Sequence, residues 1–224
     1  MEMKTSSWNF DGVVPKIFDE HVKQSVPFYS EMHKTISDIL GWFIQDNTTI
    51  YDVGSSTGTF LKLIKSKYPE KKIHAVGIDK STAMIEESFS EGVQLICKDV
   101  SEYKFLNASA ITSILTIQFI QEHKRLDILK NIYDGLNKGG CFVLVEKVLG
   151  ENPKTQAIWN DVYHDFKIEN NFTADDVINK SKSIRGVMNP LTLSQNLELL
   201  ESAGFSNNDI IFKWCNFVAI LCIK

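Results

Sequence analysis

The chain has 224 residues, 43% hydrophobic and 23% charged, with a formal net charge of −4. That length holds one well-buried domain, with or without a small cap, in an ordinary soluble globular protein. The charge excludes a broad basic surface, so direct nucleic-acid binding is not expected.

The opening MEMKTSSWNF lacks the apolar stretch of a signal peptide, and FVAILCI at 217–223 is too short to span a bilayer. A cytoplasmic protein with no membrane partner is expected. Residues 11–45 read as helical, and Ser25-Val26-Pro27 splits them, because proline restricts the residue before it. From residue 48 strands and helices alternate. TTIYDV, KIHAVGID, VQLICKDV, SAITSILTI and CFVLVEKV are strand candidates, with helices in TFLKLIKSKY, STAMIEESF and about Lys124 to Leu136. Near-continuous apolar strands at this spacing predict a parallel sheet buried on both faces. Residues 151–189 interrupt the alternation with two polar, aromatic-bearing helices, which read as an inserted cap. LTLSQNLELLESAGF is a helix ending at Gly204, and NDIIFKW and NFVAILCIK can be joined only as an antiparallel hairpin. The fold class is therefore α/β: a Rossmann-like, doubly wound seven-stranded sheet closed by that hairpin, in one domain. Cys97, Cys141, Cys215 and Cys222 show no CxxC spacing and read as buried reduced thiols; no structural metal is expected.

YDVGSSTG, residues 51–58, stands where an open α/β sheet binds ligands, at the carboxyl end of a strand. Gly54 lets the backbone approach a ligand, Gly58 lets the helix pack closely, and Ser55 and Ser56 keep the loop small. It is neither G-x-G-x-x-G nor a Walker loop, since no lysine follows Gly58. Asp52 beside the turn suits a ligand with a positive centre. Asp79 ends the second strand about 25 residues beyond Gly54, near the spacing at which dinucleotide folds place a carboxylate on ribose hydroxyls. Asp99, after the third strand, can accept from an adenine amino group. Each aspartate could equally be a helix cap. Together they read as a site for an adenosine without phosphates, S-adenosylmethionine.

With YDVGSSTG, GIDKSTAMI and CKDV as cofactor motifs, the chain resembles the class I S-adenosylmethionine-dependent methyltransferases. WNFD, SVPFYS, LTIQFI, IYDGLNKGG, LVEK, YHDFK and NFVAIL extend the resemblance over nearly the whole chain, to the carboxy-S-adenosylmethionine synthase branch of tRNA wobble-uridine modification. The resemblance implies that Tyr29 touches the cofactor's amino-acid end. It assigns Gly54, Ser55 and Ser56 to the loop, Asp79 and Lys80 to the ribose, and Asp99 and Val100 to the adenine. It also implies a homodimer and a carboxylate donor such as prephenate. Two positions depart from that branch. Ile114 replaces a cofactor-contacting asparagine. The arginine that clamps the extra carboxylate falls in KSKSIRGVM, where a one-residue gap aligns Lys182, with Arg185 nearly one turn later. A lysine offers charge without a planar fork. These departures favour ordinary methyl transfer to a small-molecule acceptor, with carboxy-S-adenosylmethionine synthesis and a non-catalytic cofactor-binding protein as alternatives. His164, in YHDFK, is the candidate base, because its imidazole titrates near neutral pH. Trp8, Trp159 and Phe166 are candidates to line the acceptor pocket or to pack the cap.

Overall fold

A computed structural model describes residues 14–86 and 92–224. WNFD with Trp8, and the end of the STAMIEESF helix, lie outside the described residues. The strands are β1 (Thr48–Val53), β2 (Ile73–Asp79), β3 (Val93–Cys97), β4 (Ala108–Ile114), β5 (Leu136–Lys147), β6 (Asn207–Trp214) and β7 (Phe217–Ile223). They form one sheet in the order β3-β2-β1-β4-β5-β7-β6. The first five are parallel; β7 runs antiparallel to both β5 and β6. The order reverses between β1 and β4, and there the carboxyl ends of the strands open a crevice for a ligand.

Helices cover both faces, so the central strands need no polar side: all six residues of β1 are buried. On one face α2 (Tyr29–Leu40) and α3 (Thr59–Lys67) set Met32, Ile36, Leu40, Leu61 and Ile64 against Ile50, Val143 and Val145. On the other, α5 (Glu122–Gly135) and α8 (Leu193–Ala203) set Ile128, Leu129, Ile132 and Leu200 against Tyr51, Val53, Phe142 and Leu144. Each fully buried side chain of this size contributes about 1.5–3 kcal/mol. Ahead of α2 lies α1 (Val14–Ser25), which ends just before Pro27, and the short α4 (Thr82–Glu86) follows β2.

The cap consists of α6 (Pro153–Glu169) and α7 (Ala174–Ser183). Its helix ends follow from sequence. Asn152 accepts from the Thr155 amide ahead of Pro153, and Thr173 and Asp176 close a capping box on α7. Thr192 and Gln195 do the same for α8, which Gly204 ends at φ 114°.

Two expectations change. The fifth strand begins at Leu136, earlier than CFVLVEKV suggests, because LNKGG is drawn into pairing through a register shift opposite Ala108–Ala110. Cys97 is exposed rather than buried, since it ends the edge strand β3, with its Sγ 3.3 Å from Thr82 Oγ1; Cys141 and Cys222 are buried. Among the described residues no helix is long and apolar enough to cross a membrane.

Candidate active site

The turn after β1 is held by backbone geometry more than by side chains. Gly54 and Gly58 take φ of 71° and 72°, and Ser56 takes 51°, the left-handed region that a serine enters at some cost. The Gly54 amide donates to Ile78 O at 2.7 Å, tying the turn to β2. A Cβ on Gly54 would lie 2.1 Å from Thr116 Oγ1, so the glycine also admits the loop that follows β4. The Ser56 amide donates to Asp79 Oδ2 at 2.9 Å and so fixes the strained residue to the end of β2. Asp19 of α1 accepts from Thr59 Oγ1 at 2.9 Å, closing the first helix over the turn.

The three strand-end aspartates sit in different environments. Asp79 also accepts from the Ser81 amide through Oδ1 at 2.9 Å, so it both caps and supports the loop. A carboxylate has about four acceptor sites, which leaves capacity for a vicinal diol. Burial pushes its pKa up, against the Ser81 and Ser56 amides. Asp99 is exposed; its Oδ1 accepts from the Ser101 amide and hydroxyl, and these hold its pKa down. Asp52 is buried, accepts from Thr112 Oγ1 at 2.6 Å, and is pushed up to about 7 by burial, opposed by Thr112 and reinforced by Asp79.

The raised value of Asp52 fixes the sign of a pH effect. Between about pH 4 and 7 the folded chain holds this proton and the unfolded chain releases it, so stability from this group falls as pH rises through that window. Asp52→Asn should therefore stabilise the ligand-free protein by on the order of 2 kcal/mol at pH 8 and by little at pH 4. Thermal denaturation across that range tests it; a stabilisation that does not grow with pH would show that Asp52 carries no such penalty.

All three aspartates line one cavity of about 810 Å³, toward the upper end of the range for small-molecule sites. Tyr29, Lys80, Val100, Ile114 and Thr116 complete the strand-end half. The Tyr29 ring lies 4.0 Å from that of His33, whose buried Nε2 has no hydrogen-bond partner among the described residues. Burial, with Asp19 and Asp52, pushes the Tyr29 phenol up.

The cap supplies the other half. Asn160, Tyr163, His164 and Lys167 face the cavity at one helical spacing on α6, and α7 adds Lys180 and Ser181. Lys147, from the end of β5, completes this side. Tyr163 donates to Ser25 O at 2.8 Å, docking the cap on the end of α1. Partial burial, Lys167 and Lys147 hold His164 below the usual imidazole value, which favours the uncharged ring. Behind the wall, Arg125 is 1% exposed and donates to Ile120 O (2.9 Å), Gln118 O (3.3 Å) and Asn189 O (2.6 Å). Its neighbour Glu146 is pushed up to about 8 by burial, against the Arg125 charge.

Thus Tyr29, Asp52, Gly54, Ser55, Ser56, Asp79, Lys80, Asp99, Val100 and His164 come together around one cavity. Lys182 and Arg185 do not. Both are exposed and outside its lining, because the phase of α7 turns Lys180 and Ser181 inward instead. Trp159 and Phe166 also lie outside the lining: Trp159 receives Lys213 Nζ at 4.1 Å, and Phe166 packs 5.5 Å from Trp214. Sequence reasoning did not single out Lys147, Lys180, Gln118 or Asp19. A charged residue closing the apolar run FVLVEK was the available signal for Lys147.

The donor set fits S-adenosylmethionine: carboxylates for an ammonium, a sulfonium and a diol, and a glycine turn with no room for a Cβ. The sheet order and this set define a class I S-adenosylmethionine-dependent methyltransferase. Residues 50–140 match the methyltransferase domain family. Human N-acetylserotonin methyltransferase, solved with SAM, has a TM-score of 0.62 at 17% identity, over 99% of this chain and 63% of that one. A putative S-adenosyl-L-methionine-dependent methyltransferase from Methanococcus maripaludis gives 0.62 at 19%, over 100% and 97%. Carboxy-S-adenosyl-L-methionine synthase from Staphylococcus epidermidis is 51% identical over 92% of each chain, and that from Nautilia profundicola 37% over 97% and 94%. The chain belongs to the carboxy-S-adenosyl-L-methionine synthase family.

Proposed function

We propose that this protein is a carboxy-S-adenosyl-L-methionine synthase. The sulfonium methyl carbon of S-adenosylmethionine gives up a proton and bonds to the carboxyl carbon of a small organic acid, whose own bond to that carbon breaks with the electron pair staying on the donor, offsetting the proton lost. The observation that carries this reading is the 51% identity spanning 92% of both chains, which reaches the cap as well as the cofactor motifs. It favours synthesis of the carboxylated cofactor over the ordinary methyl transfer that Ile114 and the missing arginine suggested. A homodimer and a cytoplasmic location belong to the same reading.

Bound S-adenosylmethionine supplies an activated one-carbon unit on a sulfonium. Asp79 and Lys80 hold the ribose, Asp99 and Val100 the adenine, and Tyr29, Asp52 and the Gly54–Ser56 turn the amino-acid end. Ile114, Tyr163 and Phe217 form the apolar wall that keeps water from the reacting carbon. His164 at the cap, whose surroundings favour the uncharged ring, is the group offered to accept that proton. Positioning two reactants in one cavity supplies much of the acceleration.

Mass spectrometry of the ligand that co-purifies with the full chain tests the proposal. The expected species is heavier than S-adenosylmethionine by one carbon dioxide. Plain S-adenosylmethionine, with no heavier species after incubation with prephenate, would return the assignment to an ordinary methyltransferase.

A further inference from the structure

The loop after β4 begins in a backbone conformation that its residue does not favour. Leu115 sits at φ 57°, in the left-handed region, where a bulky side chain is an outlier. A loop that only had to leave the strand would carry glycine or asparagine there. What leucine adds is a side chain: it lines the cavity and packs in the same apolar cluster as Ile114, Tyr163 and Phe217, the wall beside the reacting carbon. Its neighbour Thr116 lies against Gly54 of the turn.

Such a conformation persists only where its surroundings over-determine it. The Leu115 amide donates to Val145 O at 2.8 Å, tying it to β5. The side chain of Gln118, only 4% exposed, closes the other side. Its Oε1 accepts from the Lys147 amide at 2.8 Å, which turns its Nε2 to Leu115 O at 3.4 Å. Gln118 is itself held from behind. Arg125 donates to Gln118 O at 3.3 Å and to Ile120 O at 2.9 Å, and the Asn189 amide donates to Gln118 O at 2.8 Å. The Ile117 and Gln118 amides face the buried Glu146 carboxyl. One short loop thus meets a buried acid with its amides and a buried guanidinium with its carbonyls. Ending a strand requires far less.

We infer that Gln118 is a positioning residue for the reaction: its side-chain amide brackets Leu115 to the end of β5, and so holds Ile114, Leu115 and Thr116 beside the glycine turn in the arrangement that closes the reacting end to water. This rests on the synthase reading above. Gln118 acts through Leu115 rather than on the reacting atoms.

Gln118→Leu and Leu115→Gly, singly and combined in the full chain, test this. The readouts are the carboxylated cofactor formed from S-adenosylmethionine and prephenate, and amide hydrogen exchange. Gln118→Leu should lower kcat at least about tenfold while KM for S-adenosylmethionine moves by less than about threefold. Exchange should quicken over residues 115–121 and stay unchanged in β1 and β2, a pattern that a general loss of stability would not give. On the Leu115→Gly background Gln118→Leu should cost kcat at least about threefold less, because glycine takes a left-handed φ without a bracket. Unchanged kcat, a loss confined to KM, faster exchange throughout the sheet, or the same loss on both backgrounds would each overturn the assignment. If the parent chain forms no carboxylated product, the synthase reading fails, and exchange over 115–121 with and without Leu115→Gly decides the bracket.

Discussion

Gly54→Ala should destabilise the protein by about 3 kcal/mol and abolish measurable cofactor binding. Two costs add. At φ 71° an alanine is held in the left-handed region, at about 1 kcal/mol. The new Cβ would also meet Thr116 at 2.1 Å from Oγ1, 2.4 Å from Cγ2 and 2.7 Å from Cβ. The last distance matters most: no rotamer of Thr116 moves its own Cβ, so the turn and the loop after β4 must separate. Chemical denaturation of Gly54→Ala, beside the double variant Gly54→Ala/Thr116→Gly, reads the two costs apart. The double variant should recover the part due to collision and keep the part due to φ. No recovery would mean that the whole effect lies in the backbone conformation of residue 54.

Asp79→Ala should raise the Kd for S-adenosylhomocysteine on the order of 100-fold, about 3 kcal/mol. The loss exceeds that of a simple ribose contact because Asp79 also accepts from the Ser56 amide, and Ser56 is itself strained. On the proposed ribose role, removing the carboxylate frees the turn as well as the ligand's hydroxyls. Asp99→Ala should cost far less, since Asp99 is exposed and its bonds run to Ser101. Calorimetry on both variants gives the ranking. Equal losses would assign the ribose role elsewhere.

The sheet was legible because its strands are apolar on both faces and are bounded by small or charged residues; TTIYDV and the hairpin match β1, β6 and β7 almost residue for residue. The strand-end aspartates were legible for a related reason, since the fold fixes where such positions converge. The beginning of β5 was not: NKGG falls between the expected helix and CFVLVEKV, yet register against β4 draws it into the sheet. The cap was legible as two helices but not in rotational phase. Two residues on a helix are a turn of about 200°, so α7 sets Lys180 at the cavity wall and Lys182 on the opposite side. Lys167 looks like part of a solvated helix face until α6 is laid over β5.

Arg125 bears on how the cavity opens. Its guanidinium binds carbonyls of both the loop after β4 and the cap's return at Asn189, whose own amide donates to Gln118 O. Those two walls form one cooperative unit, which opens as a whole or stays closed. The cap's first residues are likewise pinned, by Val148 to Asn216 O and Leu149 to Leu191 O. The corner between α6 and α7 is held in the same way, by the Phe172 amide on Lys167 O and by the Thr173–Asp176 capping box, so the cap moves as one body with the wall behind it.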